Sequence, residues 1–162
     1  GSIRVYITKD KKVKNDKSVS KILNQEKKLL ITKQKTFQNF EKNILEIKEN
    51  FLKNIKFLKK KYKTIVGYGA PAKASTSLNF FGIKNDILDF VIDDNNLKVN
   101  KFIPGTGIKI LSSKNVKKKQ KCILVLAWNM FEEIKNNNQK LSSTFISIRD
   151  LYDKNFIKKL IN

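Results

Sequence analysis

The sequence predicts an α/β protein whose open, mainly parallel sheet of about five strands is flanked by helices and preceded by a strand and two amphipathic helices. Three observations carry this. After Lys63, short apolar runs at 64–66, 88–92, 108–111, 122–127 and 144–148 alternate with helical stretches. The first run passes through Gly67, Tyr68 and Gly69 into a helix opened by Pro71. Before Lys63, Phe37, Phe40, Ile44, Ile47, Phe51, Ile55 and Leu58 recur every third or fourth residue, the stripe of a long amphipathic helix. A buried strand, a glycine turn and a helix start are the parts of a phosphate cradle in a Rossmann-like sheet.

The elements follow in order. Residues 1–8 alternate as a strand, with Ile3, Val5 and Ile7 on one face. Residues 9–17 are charged and read as an exposed link. Val19, Ile22, Leu23, Leu29 and Leu30 put a helix over 18–31, with Asp16 or Ser18 as its N-cap. The Phe-rich stripe makes the second helix, which is expected to cover the sheet. The domain reading is 1–17 as strand and linker, 18–63 as a helical segment packing on the sheet, and 64–162 as the Rossmann-like domain.

Within that domain, 64–66 is the first strand and Gly67-Tyr68-Gly69 a tight turn. Pro71 takes the first helical position, where its missing N–H costs nothing. The helix runs to about Phe81 and stops at Gly82. The second strand, 88–92, ends in Asp93-Asp94. A loop at 98–106 holds Pro104-Gly105, and 108–111 is a short third strand followed by a brief helix at 112–116. The fourth strand, 122–127, is the most apolar run and ends in Trp128-Asn129. A helix at about 130–136, the fifth strand at 144–148 and a short amphipathic tail helix complete the chain.

Composition narrows the chemistry. The chain has 162 residues and a formal net charge of +21. Such charge fits nucleic acid or an anionic surface, but only Arg4 and Arg149 are arginines, and Arg is the residue of bidentate phosphate and base recognition. Lys, Asn and Ile are heavy throughout, so the charge reads as compositional and nucleic acid as an unlikely partner. With no histidine there is no His-based triad or imidazole acid–base, and the single cysteine, Cys122, excludes an internal disulfide. Cys122 lies in an apolar run and reads as core. No apolar run reaches the length of a membrane span, no signal peptide is visible, and the chain is read as cytoplasmic.

The chemistry therefore concentrates on one edge. Gly67, Gly69 and Ala72 fit G-x-G-x-x-A in the required strand–turn–helix context, and Asp93 lies about 20 residues beyond, at the next strand's end. Gly67, Tyr68, Gly69, Ala70, Pro71, Ala72 and Lys73 form the candidate cradle, with Asp93 and Asp94 placed to reach a ribose hydroxyl. In a doubly wound sheet the strand order reverses between the first and fourth strands, so Trp128 and Asn129 should face the same crevice. Glu132 and Glu133 follow without a partner acid or base and are not read as catalytic. The fingerprint alone favours a stand-alone NAD(P)- or nucleotide-binding protein, a reading that the absence of histidine and of an evident hydride-transfer acid weakens.

A resemblance narrows the ligand. GYGAPAK at 67–73 with Leu78-Asn79 after it, the strand-end Asp93, Lys98, PGTGIKI at 104–110 and LAWNMFEEI at 126–134 together resemble the C-terminal domain of the S-adenosylmethionine-dependent C-methyltransferases that act on nucleotide-linked deoxysugars. GSIRVY at 1–6 is similar to the segment joining that domain to the methyltransferase domain. The resemblance implies a parent enzyme with a zinc-binding domain, a domain for S-adenosylmethionine, and this domain helping to hold the nucleotide sugar over the methyl donor. Pro104 and Gly105 join the candidate substrate-binding residues on this basis. The resemblance also implies that the fragment binds substrate without catalysing alone, with no zinc or methyl-donor residue in it and the upstream methyltransferase domain as its partner. The closing stretch RDLYDKNFIKKLIN departs from the proline-richer family ending.

Overall fold

The computed structural model describes residues 3–161. The chain divides into two compact units, Gly1–Asn43 and Ile44–Asn162. The helices are α1 (Lys17–Lys28), α2 (Gln34–Tyr62), α3 (Ala72–Phe81), α4 (Phe131–Asn137) and α5 (Phe156–Ile161). The strands are β1 (Val66–Tyr68), β2 (Val91–Ile92), β3 (Ile110–Leu111), β4 (Ile123–Val125) and β5 (Phe145–Ser147).

In the first unit, Asp16 is the N-cap of α1, its carboxylate accepting from the Ser18 N–H at 2.8 Å. The predicted N-terminal strand does not form over residues 3–8, and Gly1 and Ser2 lie outside the described residues. A strand exists by pairing, and among the described residues of Gly1–Asn43 there is no strand for this segment to pair with. Ile3, Val5, Tyr6 and Ile7 are accordingly exposed.

The second unit is built on an all-parallel sheet of order β3-β2-β1-β4-β5. β2 and β4 are buried throughout, as parallel strands covered on both faces are, while Tyr68 of β1, Leu111 of β3 and Phe145 of β5 are half-buried. On one face, Ile65, Val91, Leu124 and Leu126 meet Phe51, Ile55 and Leu58 of α2 and Ala74, Leu78 and Phe81 of α3. Phe51 stacks on Phe81 with ring centroids 3.9 Å apart. On the other face, Val66, Ile92, Ile123 and Val125 meet Ile134 of α4. Not all of the Phe-rich stripe reaches the core: Phe37 and Phe40 are exposed, and full burial begins at Phe51.

The predicted first strand is displaced. Pairing runs through Gly67 and Tyr68, with Gly67 opposite Val91 and Leu124. Gly67 is therefore not a turn residue. A Cβ there would sit 2.6 Å from Val91 Cγ2, so the missing side chain lets two strands pack. The other strands are shorter than their apolar runs, because Leu88, Ile108 and Leu126 are buried beyond the strand bounds, although the Leu126 N–H still donates to the Tyr68 carbonyl at 2.8 Å. Pro71, with ψ of 162°, caps α3 and Ala72 is the first helical residue. Gly82 ends α3 in the left-handed region at φ 70°, as read from the sequence.

The tail docks on α2. The buried Asn54 Nδ2 donates to the carbonyls of Leu151 and Asp153, both at 2.9 Å. Between β5 and α5 lies a 3-10 turn, Ile148–Tyr152, closed by a reciprocal cap between Ser147 and Asp150.

Candidate ligand-binding site

The order β3-β2-β1-β4-β5 puts the reversal of strand order between β1 and β4. The carboxyl ends of these two strands border the place where open α/β sheets receive ligands. β1 leads into Gly69, whose φ of 83° belongs to the left-handed region. A Cβ on Gly69 would lie 2.7 Å from the Cβ of Ala127, just after β4. Glycine is thus required twice, for conformation and for close approach of the two strand ends.

The loop is then fixed from the β2 side. The Ala70 N–H donates to Asp93 Oδ2 at 2.8 Å, and Lys98 Nζ lies 3.2 Å from the same oxygen. The Asn95 N–H donates to Asp93 Oδ1 at 2.9 Å. Burial pushes the Asp93 carboxyl up, but the Asn95 and Ala70 N–H groups and the Lys98 ammonium outweigh it and hold it below the usual carboxylate range. Both Asp93 oxygens are therefore engaged within the protein. Asp94 is engaged as well, accepting from Ser112 Oγ at 2.9 Å and the Ser113 N–H at 2.8 Å.

α3 starts without a side-chain cap, since Pro71 has no side-chain donor or acceptor. Orphan amides in its first turn, with the positive end of the helix dipole, favour an anion. Lys73 extends from this turn toward the end of β4. Its Nζ donates to Asn129 Oδ1 at 2.8 Å and stands 4.6 Å from the centre of the Trp128 ring. The structure thus brings Gly69, Ala70, Pro71, Ala72, Lys73, Asp93, Trp128 and Asn129 to one edge.

Four sequence-derived candidates sit differently. Gly67 is inside β1. Tyr68 packs with the α4-side cluster, and its hydroxyl donates to Asn138 Oδ1 at 3.2 Å. Burial, then the charge of Asp94, pushes its phenol above the ordinary value. Pro104 and Gly105 lie against the side of α3, where Ser75 Oγ and Asn79 Nδ2 donate to the Pro104 carbonyl at 3.3 and 2.9 Å.

One residue was not found from the sequence. Arg149 follows β5, and its guanidinium carbon stands 4.7 Å from the centre of the same Trp128 ring. Its position after the last strand's carboxyl end was the available signal. Arg149 also borders a cavity of about 330 Å³ with Asp150, Asp153, Phe156, Lys159 and Leu160. No residue of the sequence-derived site lines that cavity, which sets it apart from the edge between β1 and β4.

The described residues contain no group of three or more His, Cys, Asp or Glu side chains that could hold a metal ion. The one thiol, Cys122, is buried and pushed up to about 12 by that burial. Neither zinc nor the methyl donor is assigned to any residue of this chain. Among the described residues, no helix is long and apolar enough to cross a membrane.

C-methyltransferase NovU of Streptomyces niveus is 37% identical to this chain over 79 residues, which are 48% of this chain and 19% of that protein. The matched stretch thus spans about a fifth of that relative's length. A family model described as the C-methyltransferase C-terminal domain matches residues 1–147. That match runs through the glycine turn, Asp93, Trp128-Asn129 and every strand to the last residue of β5, and the chain belongs to the C-methyltransferase C-terminal domain family.

Proposed function

We propose that this domain holds a nucleotide-linked sugar at the carboxyl edge of its sheet, as the substrate-binding part of an S-adenosylmethionine-dependent C-methyltransferase. The observation that carries the reading is the link from Lys73 to Asn129 and Trp128, which joins the start of α3 to the end of β4 across the point where strand order reverses. The uncapped first turn of α3 and the Lys73 ammonium supply positive charge for the pyrophosphate. Asn129 and the edge of Trp128 supply a hydrogen-bonding amide and an aromatic surface for base or sugar. The domain contributes binding and orientation, and an upstream methyltransferase domain of the same protein supplies the methyl donor and the base.

The dinucleotide reading is favoured by the G-x-G-x-x-A spacing. It needs a strand-end carboxylate for a ribose, and Asp93 is already committed to Ala70, Asn95 and Lys98. A nucleic-acid role would rest on net charge alone.

Thermal shifts with dTDP, a dTDP-sugar, NAD and S-adenosylmethionine test the proposal. The thymidine diphosphate ligands are expected to raise the melting temperature, with a stabilisation that grows as the logarithm of their concentration over Kd. Stabilisation by NAD alone would overturn the sugar reading.

A further inference from the structure

Trp128 carries two cations. Lys73 Nζ and the Arg149 guanidinium stand 4.6 and 4.7 Å from its ring centre, and they reach it from opposite ends of the half-sheet, after β1 and after β5. Neither cation is neutralised: among the described residues, the ion pairs are Lys59–Asp89, Lys98–Asp93 and Lys159–Asp153. The Arg149 guanidinium donates to no protein acceptor among them, while Lys73 has a single acceptor in Asn129. Two unpaired cations brought to one ring, beside the uncapped start of α3, repel each other and gain little from water-exposed stacking. A shared anion would relieve that repulsion.

We propose that Lys73 and Arg149 form a two-cation clamp for a diphosphate, with Trp128 as the platform that positions both. The clamp rests on the reading of this edge as the phosphate end of the ligand site. Lys73, with the amides of α3, takes one phosphoryl group as a point charge, and the planar fork of Arg149 takes the other bidentately. A single phosphate satisfies one arm, so the site selects ligands with two adjacent phosphoryl groups. Toward the phosphates Trp128 is then a positioning residue, holding both cations against its ring. Arg149 lies beyond residue 147, where the family match ends.

The full chain reports on this directly, since Trp128 is its only tryptophan. Titration with inorganic pyrophosphate at fixed ionic strength should give a saturable change in tryptophan fluorescence, and orthophosphate should bind more weakly. Calorimetry should show Arg149→Gln weakening pyrophosphate about tenfold and Arg149→Lys, which keeps the charge and loses the fork, less. Trp128→Leu should weaken it while Trp128→Phe retains most of the affinity. The log–log salt slope of binding should also fall in Arg149→Gln, a readout that a merely structural role would not move. Equal affinity and slope in folded Arg149→Gln and wild type, or no saturable response of the wild type, would overturn the clamp. Pyrophosphate binding that depends on Arg149, with no thermal shift from a dTDP-sugar, would uphold the clamp and remove the nucleotide-sugar reading. Binding of a dTDP-sugar that ignores Arg149 would do the reverse.

Discussion

The Ala70 N–H donates to the Asp93 carboxylate at 2.8 Å, so the end of β2 holds the loop that leaves β1. The carboxylate that the glycine spacing offers to a ribose is instead a strut of the cradle. Lys98 pairs with it at 3.2 Å.

Replacing Asp93 by Asn should cost about 1.5–3 kcal/mol near neutral pH, the range for hydrogen bonds to a charged group. The folded Asp93 carboxyl lies below its unfolded value. Its contribution is therefore complete above the unfolded pKa of about 3.9 and is lost as pH falls through the folded value. Urea denaturation should show wild type and D93N converging in acid. A constant gap across the pH range would show that the charge is not the cause.

Gly69→Ala combines a left-handed φ of 83° with a Cβ 2.7 Å from that of Ala127. A loss of about 2–4 kcal/mol is expected, from backbone strain and overpacking together. Adding Ala127→Gly should restore only the packing part. Full rescue in a double-mutant denaturation series would show that the backbone conformation carries no cost.

Asn54 ties α2 to the carbonyls of Leu151 and Asp153. Asn54→Ala leaves two carbonyls without these donors and should cost about 1–3 kcal/mol. Hydrogen exchange should rise first in the tail at 148–161, while the amides of β1 and β4 stay protected. A uniform rise would mean the tail is not an independently opening segment.

Cys122 is fully buried, and burial pushes its thiol from 9.0 to about 12. The native protein should resist a chromogenic disulfide reagent at neutral pH and react with one equivalent after denaturation. The neutral thiol is favoured by folding, so its contribution is complete below pH 9 and is lost as pH rises toward about 12. Rapid labelling of native protein would contradict this burial.

Much of the fold could be read from residue patterns, for identifiable reasons. Five apolar runs separated by helices or, between the second and third, by a loop correspond to five strands, and the Gly82 stop and the Asp16 cap act through local chemistry. The strands are shorter than the apolar runs because such a run reports burial rather than regular pairing: Leu88 is in the core outside any strand, and Ile65 and Leu126 flank β1 and β4 with one backbone bond each, from Asp89 N–H to the Ile65 carbonyl and from Leu126 N–H to the Tyr68 carbonyl. The segment at 3–8 shows the converse, alternation without a partner. Tyr68 was placeable in principle, since strand alternation turns it away from the side of Gly67 and Gly69. Arg149 was not. Its approach to Trp128 depends on β5 lying beside β4, a relation between strands that spacing along the chain does not encode.

The all-parallel order has a consequence for how the molecule comes into being. Lys73, Trp128 and Arg149 belong to segments that emerge one after another during synthesis, each separated from the next by a crossover. The glycine turn leaves the ribosome long before the arginine that shares its tryptophan. The edge therefore cannot be acquired piecemeal, and a ligand that requires all three residues recognises only a chain whose last strand has been added.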